Sequence, residues 1–218
     1  MGFGLDVSNH IALLGDSIFD NQSYTSGQPD VVAHLRQLLP SSWQATLCAV
    51  DGATTVTLAS QLPRIPPDAT HLVVSIGGND ALMSIDLLAT PVSSTTDALA
   101  LFAESVAEFE LKYRAALEHM IALGRPTTTC TIYNGRFPAE DARIVRTALM
   151  LFNDAILRVA FERQLPVIDL RSVCNEPADY ANPIEPSGPG GRKIAEVIGR
   201  AVGALQGTDD PSRVFTLT

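Results

Sequence analysis

The chain has 218 residues, of which 46% are hydrophobic, enough to fill the core of one α/β domain. Its formal net charge of −9 argues against a nucleic-acid or anionic-membrane binder, because neither a phosphate backbone nor an acidic headgroup would be attracted to it. A neutral or cationic small-molecule partner fits that balance.

Strands and helices alternate along the chain. The apolar run Ile11 to Leu14 reads as a short buried strand that stops at Gly15. Val31, Leu35 and Leu38 or Leu39 recur at helical spacing, and Pro40 ends that helix. Thr46 to Val50 predicts a second strand ending at Asp51-Gly52, followed by a helix with Leu58 and Leu62 inward. Pro63, Pro66 and Pro67 make a loop, and His71 to Ile76 is a third strand closing at Gly77-Gly78-Asn79-Asp80. Ala81 to Ser94 reads as irregular. A long amphipathic helix then places Leu99, Phe102, Val106, Phe109, Tyr113 and Leu117 on one stripe, with Gly124 as its stop. Thr127 to Tyr133 is a fourth strand and Asn134 to Pro138 a loop. Ile144, Ala148, Leu151, Ala155 and Val159 mark the next helix, and Pro166 to Leu170 a fifth strand. Arg171 to Ser187 reads as a long loop and Gly188 to Leu205 as the last helix.

This alternation predicts a parallel five-stranded sheet covered on both faces, since right-handed crossovers return each helix over the sheet. A single domain is expected over residues 1–207, with 208–218 as a tail. Cys48 and Cys130 read as small apolar strand residues and Cys174 as a loop thiol; three cysteines far apart and in no metal spacing fit a reducing compartment. Residues 1–9 carry neither the basic nor the apolar region of a secretory leader, and no run reaches transmembrane length, so a cytoplasmic location is expected. Neither a metal cluster nor a dinucleotide fingerprint is visible, because Gly77-Gly78 lacks the third glycine; no cofactor is expected.

Three strand ends carry the chemistry. Ser17 follows the first strand, Gly52 the second and Asn79 the third, and parallel topology brings all three to one edge of the sheet, where ligands bind in open α/β folds. Acyl transfer needs a nucleophile together with donors aimed at the forming oxyanion. A serine N–H, a glycine N–H and a carboxamide supply three such donors. Asp16 reads as a backbone-bonding turn residue, Asp80 as a brace, and Asp20 and Asn21 as either braces of the Ser17 loop or groups facing substrate. Tyr24, Met83 and Tyr180 are candidate walls of a substrate pocket.

Gly15-Asp16-Ser17, Gly52 and Gly77-Gly78-Asn79-Asp80, in this order on successive strands, resemble the first three sequence blocks of the SGNH, or GDSL-type, hydrolases. The resemblance spans His10 to about Leu205. It implies a three-layer α/β/α sandwich and serine esterase chemistry on a small-molecule acyl ester, with Ser17 as nucleophile and Ser17 N–H, Gly52 N–H and Asn79 as oxyanion donors. The family's last block reads Asp-x-x-His; here Asn182 stands for the aspartate and Glu185 for the histidine. His10 and His71 begin strands, at the opposite edge of the sheet, and His34 and His119 lie within helices, so none is delivered to Ser17. Glu185 is therefore the candidate general base, with Asp179 a second candidate and Asn182 a hydrogen-bonding support. The change from aspartate to asparagine is coherent with this, because without an imidazolium a second carboxylate would only repel Glu185. The alternatives are a ligand-binding protein of the same fold that has lost its chemistry, and an acyltransferase in which another alcohol replaces water. The oligomeric state is not specified.

Overall fold

The computed structural model describes residues 9–206. The tail expected at 208–218, and residues 1–8 at the other end, lie outside the described residues. Five parallel strands, β1 (Asn9–Gly15), β2 (Trp43–Leu47), β3 (His71–Ser75), β4 (Thr127–Cys130) and β5 (Val167–Ile168), lie in the order β2-β1-β3-β4-β5. This is the parallel five-stranded sheet covered on both faces that the alternating pattern predicts, and the three-layer α/β/α sandwich that the resemblance implies, in a flavodoxin-like strand order.

The central strand β1 divides its side chains between two cores, as period-2 geometry requires. Ile11 and Leu13 face a layer built on α1 (Val31–Leu38) and α6 (Gly188–Ala201). Ala12 and Leu14 face the opposite layer, where α3 (Thr95–Ile121) and α4 (Ala139–Glu162) supply Phe109, Tyr113, Leu117, Phe152, Ile156 and Val159. β4 is built of three threonines and a cysteine, all buried. The Thr129 hydroxyl is satisfied inside the core, where it meets that of Tyr113 at 2.6 Å.

Helices α3 and α4 run parallel to each other. Arg114 joins Glu110 and Glu162, and Arg158 joins Glu110 and Asp154, so a ladder of ion pairs zips the two together toward their C-terminal ends. Their N-terminal turns lie at the edge where the strands end. There the expected stripe is only half used. Leu151, midway along α4, is exposed because its neighbour Phe152 takes the buried face there; in the first turns Leu99 is 64% exposed and Ile144 is 55% exposed. The helical period is as read, but these turns have no sheet beneath them to pack against.

Other boundaries shift. The second strand is Trp43–Leu47 rather than 46–50, and Cys48 and Ala49 turn back over β1, their N–H groups donating to the Leu13 carbonyl. The helix expected around Leu58 and Leu62 is a 3-10 segment, Leu58–Arg64, tightened by Pro63. The stretch read as irregular holds the end of α2 (Gly78–Met83), which begins within the Gly77–Asp80 block, and a 3-10 turn, Ile85–Ala89. The long loop after β5 begins with α5 (Leu170–Val173) and includes the 3-10 turn Pro177–Asp179. Cys174 is buried, not a loop thiol at the surface, because α5 turns it into the core. All three cysteines are free.

Candidate active site

β1 ends in a turn that the sequence forces. Gly15 sits at φ +131°, and a Cβ there would lie 1.7 Å from the Ser75 carbonyl oxygen of the neighbouring strand, so only glycine fits. The fully buried Gln61 clamps the same residue: its Oε1 accepts from Gly15 N–H at 2.9 Å and its Nε2 donates to the Gly15 carbonyl at 2.7 Å. Phe19 and Asp20 donate their N–H groups back to the Asp16 carbonyl, closing a helical turn. Ser17 is held on this turn with 7% of its surface exposed.

Glu185 arrives from a second tight turn. Asn182 Oδ1 accepts from the N–H groups of Ile184 and Glu185, both at 2.9 Å, and Ala181 N–H donates to the Glu185 carbonyl. Tyr133 Oη donates to the Ile184 carbonyl and Arg136 N–H to that of Pro183, tying the turn to the loop after β4. Asn21 joins the two turns: its Nδ2 donates to the Pro186 carbonyl and its Oδ1 accepts from Val31 N–H at the start of α1. Of the alternatives open for Asn21, the brace is what the structure holds.

These constraints bring Ser17 Oγ and Glu185 Oε1 together, the hydroxyl donating at 3.1 Å. Glu185 is 6% exposed, and its Oε2 is buried without a partner. Burial pushes its carboxyl up to about 7; the hydrogen bond from Ser17 opposes this, and the Asp51 carboxylate adds to it. Asp16, 1% exposed, is likewise pushed up to about 7, by burial first, against a hydrogen bond from Ile18 N–H and with Glu185 and Asp80 adding like charge.

Asn79, in the first turn of α2, lines the same cleft, with Nδ2 donating to the Ala53 carbonyl at 2.9 Å. That bond uses one amide hydrogen and fixes the orientation of the other. Gly52 lies on the loop after β2 at φ +76°. A Cβ there would meet nothing within 4 Å, so the glycine is required by backbone conformation rather than by crowding. Among the described residues, neither Ser17 N–H nor Gly52 N–H donates to a protein acceptor. Asp80 braces the loops, accepting from Thr55 N–H and Oγ1. Asp20 accepts from Asp51 N–H at 3.0 Å, again a brace.

Several expected neighbours are elsewhere. Asp179 is 1% exposed and committed to Lys193, 2.9 Å away, and to Glu176 N–H; it does not line the cleft. Asn182 bonds the backbone of Glu185 rather than its carboxylate. None of Tyr24, Met83 and Tyr180 walls the pocket: Tyr24 donates to Asp51, Met83 is 79% exposed, and Tyr180 is buried with its hydroxyl on the Cys174 carbonyl. The four histidines also stay away from the cleft; His10, for one, is held by Asp68 and Thr46 at the start of β1.

The actual walls come from the overhanging helix ends. A cleft of about 830 Å³, open mouth included, runs from Ser17, Asn79 and Glu185 outward between α2, α3 and α4. Leu82, Phe102, Phe137, Ala148, Leu149 and Phe152 line it, and the exposed Ile85 and Leu88 stand at its mouth. The residues at the strand ends, and Glu185 by its place before the last helix, signalled this site in the sequence. Gln61 gave no sign of its role, being one polar residue in a short turn; Phe102 and Ala148 read as ordinary helix core, and Leu82 and Phe137 fell in segments read as irregular or loop. Among the described residues, no group of three or more His, Cys, Asp and Glu side chains is placed to hold a metal ion, and no helix is long and apolar enough to cross a membrane.

Solved structures share this fold. An extracellular lipase from Streptomyces rimosus superposes with a TM-score of 0.68 at 15% identity, covering 88% of this chain and 99% of its own. A lipase from a goat rumen metagenome gives 0.69 at 19% identity, covering 90% and 98%. A catalytic mutant of an acetylxylan esterase from Geobacillus stearothermophilus gives 0.65 at 18% identity, covering 94% and 97%. No curated protein sequence matches the chain. The profile of one family, however, matches residues 13–190, from within β1 into the start of α6, and the chain thereby belongs to the GDSL-like lipase/acylhydrolase family of ester hydrolases.

Proposed function

We propose that the chain is a serine ester hydrolase in which Glu185 does the work usually given to a histidine, acting on esters with an apolar acyl group. The observation that carries this reading is the Ser17 Oγ to Glu185 Oε1 hydrogen bond of 3.1 Å, in a cleft lined by no histidine. An ordinary glutamate, near pKa 4.5, is a poor acceptor of a serine proton. One held near 7 is matched to the task at neutral pH.

In the proposed reaction, Ser17 Oγ attacks the ester carbonyl carbon while its proton passes to Glu185 Oε1. The carbonyl electron pair moves onto oxygen, stabilised by Ser17 N–H, Gly52 N–H and the free Asn79 Nδ2 hydrogen. Collapse of this intermediate breaks the bond to the leaving alcohol, which takes the proton from Glu185. Water then attacks the acyl-enzyme, giving its proton to Glu185, and Ser17 leaves with that proton. The neighbours named above include both lipases and an acetylxylan esterase; the aromatic and aliphatic lining of this cleft favours an acyl chain over an acetyl group. Three free, buried cysteines support a cytoplasmic location for this activity.

Labelling with a serine-directed fluorophosphonate tests the reading. The chain should be labelled at Ser17, and the rate should rise through pH 7. Ser17→Ala should remove both labelling and ester hydrolysis. Absence of labelling in the unsubstituted chain would leave a ligand-binding protein in place of an enzyme.

A further inference from the structure

The site holds two carboxyl groups, and the reaction above uses one. Asp16 precedes Ser17, lines the same cleft and is 1% exposed. Its Oδ1 accepts from Ile18 N–H at 3.1 Å, while Oδ2 is buried without a partner. Glu185 repeats the pattern, with Oε1 on Ser17 and Oε2 buried and unpartnered. Among the described residues no lysine, arginine or histidine forms an ion pair with either. The titratable groups acting on Asp16 are the carboxyls of Glu185 and Asp80; Asp16 in turn acts on the Cys130 thiol and the Tyr133 hydroxyl. On Glu185 the charge that acts is that of Asp51. No cation compensates a second negative charge here, and a buried carboxylate with an unpaired oxygen takes up a proton instead of remaining charged.

We infer that Asp16 works as a neutral acid, a positioning residue that keeps a single negative charge beside Ser17 and leaves that charge to Glu185. The pair behaves as two coupled carboxyls from which one proton leaves readily and the second does not. With Asp16 neutral, Oδ1 is the carbonyl oxygen that receives Ile18 N–H, and Oδ2–H is a donor inside the site. Asp16 keeps its proton through the cycle; only Glu185 accepts and returns one. Ionisation of Asp16 would set a second charge against the forming oxyanion, so activity should fall at alkaline pH. This extends the proposed Ser17–Glu185 chemistry and rests on it for its catalytic meaning, but the proton on Asp16 can be read without turnover.

The experiment pairs a pH–rate profile with carboxyl NMR. Asp16→Asn reproduces the neutral acid, with an oxygen to accept and an N–H to donate. Its kcat/KM should fall by no more than about tenfold, the acid limb set by Glu185 should stay in place, and the alkaline limb should disappear. A shift of the acid limb downward by about one unit or more would overturn the inference, because it would mean that the substitution had removed a resident negative charge. Should Asp16→Asn fail to fold, or the unsubstituted chain fail to hydrolyse any ester, 13C-carboxyl-labelled aspartate in the unsubstituted chain decides. One resonance should keep its protonated shift near pH 6, where exposed aspartates are ionised. If every aspartate is ionised there, the inference fails whatever the activity.

Discussion

Replacing Glu185 by Gln should move activity and stability in opposite directions. The substitution keeps the shape and an oxygen able to accept from Ser17, and removes the capacity to take a proton. Activity should drop by about a hundredfold to ten-thousandfold, the range that general-base catalysis contributes. Stability follows from the proton. Glu185 has a folded-state pKa near 7 against an ordinary value of 4.5. A raised acid binds more protons folded than unfolded, so its contribution is intact below about pH 4.5 and is lost as pH rises through about 7. A difference of about 2.5 units, at about 1.36 kcal/mol each, makes that loss about 3 kcal/mol by pH 8. The Gln variant has nothing to lose in that window. Its unfolding free energy relative to the unsubstituted chain should therefore improve by about 3 kcal/mol between about pH 4 and pH 8. For a chain of this size that is roughly 6–12 °C in Tm. Taking the difference between the two pH values cancels any fixed cost of burying the amide. Denaturant melts at several pH values, beside p-nitrophenyl ester assays, supply both readouts. A stability difference that does not change with pH would refute the assigned burial of the Glu185 charge, and undiminished hydrolysis would remove Glu185 from the mechanism.

Asn79→Ala should lower kcat by about a hundredfold to a thousandfold, as loss of one oxyanion donor does, with KM changing far less; a raised KM with kcat unchanged would argue for a binding role. Gly15→Ala should prevent accumulation of folded protein, since its Cβ would overlap the Ser75 carbonyl; a soluble variant with an unchanged melting curve would contradict the turn geometry. Ala148→Phe should fill part of the cleft and lower the ratio of decanoyl to butyryl ester kcat/KM, where each methylene buried in the unsubstituted chain adds about fourfold; an unaltered ratio would show that the acyl chain lies elsewhere.

The sheet was legible because its signals are local. β1 and β3 are short apolar runs ended by glycines, and parallel topology alone takes Ser17, Gly52 and Asn79 to one edge. Glu185 was legible by its place before the last helix. What escaped reading depends on where a helix ends relative to the sheet. Leu99, Phe102, Ile144 and Ala148 share their period with the buried residues further along, and periodicity cannot tell a turn that packs on strands from one that overhangs them. Nor does composition reveal a clamp such as Gln61, whose two bonds to Gly15 join residues 46 positions apart. Asp179 was a reasonable second acid by proximity in sequence, but Lys193 on α6 and the start of the 3-10 turn had already claimed it.

The overhang of α3 and α4 also separates two evolutionary problems. The groups proposed to react are fastened to strand ends and to a turn stitched down by Asn21, Tyr133 and Asn182. The groups that would sort one substrate from another under that proposal stand on helix tips beyond the ion-pair ladder. Lengthening, trimming or repainting those tips alters what is accepted and leaves the bond-breaking apparatus alone, so one scaffold can drift among acyl donors by surface change at a single rim.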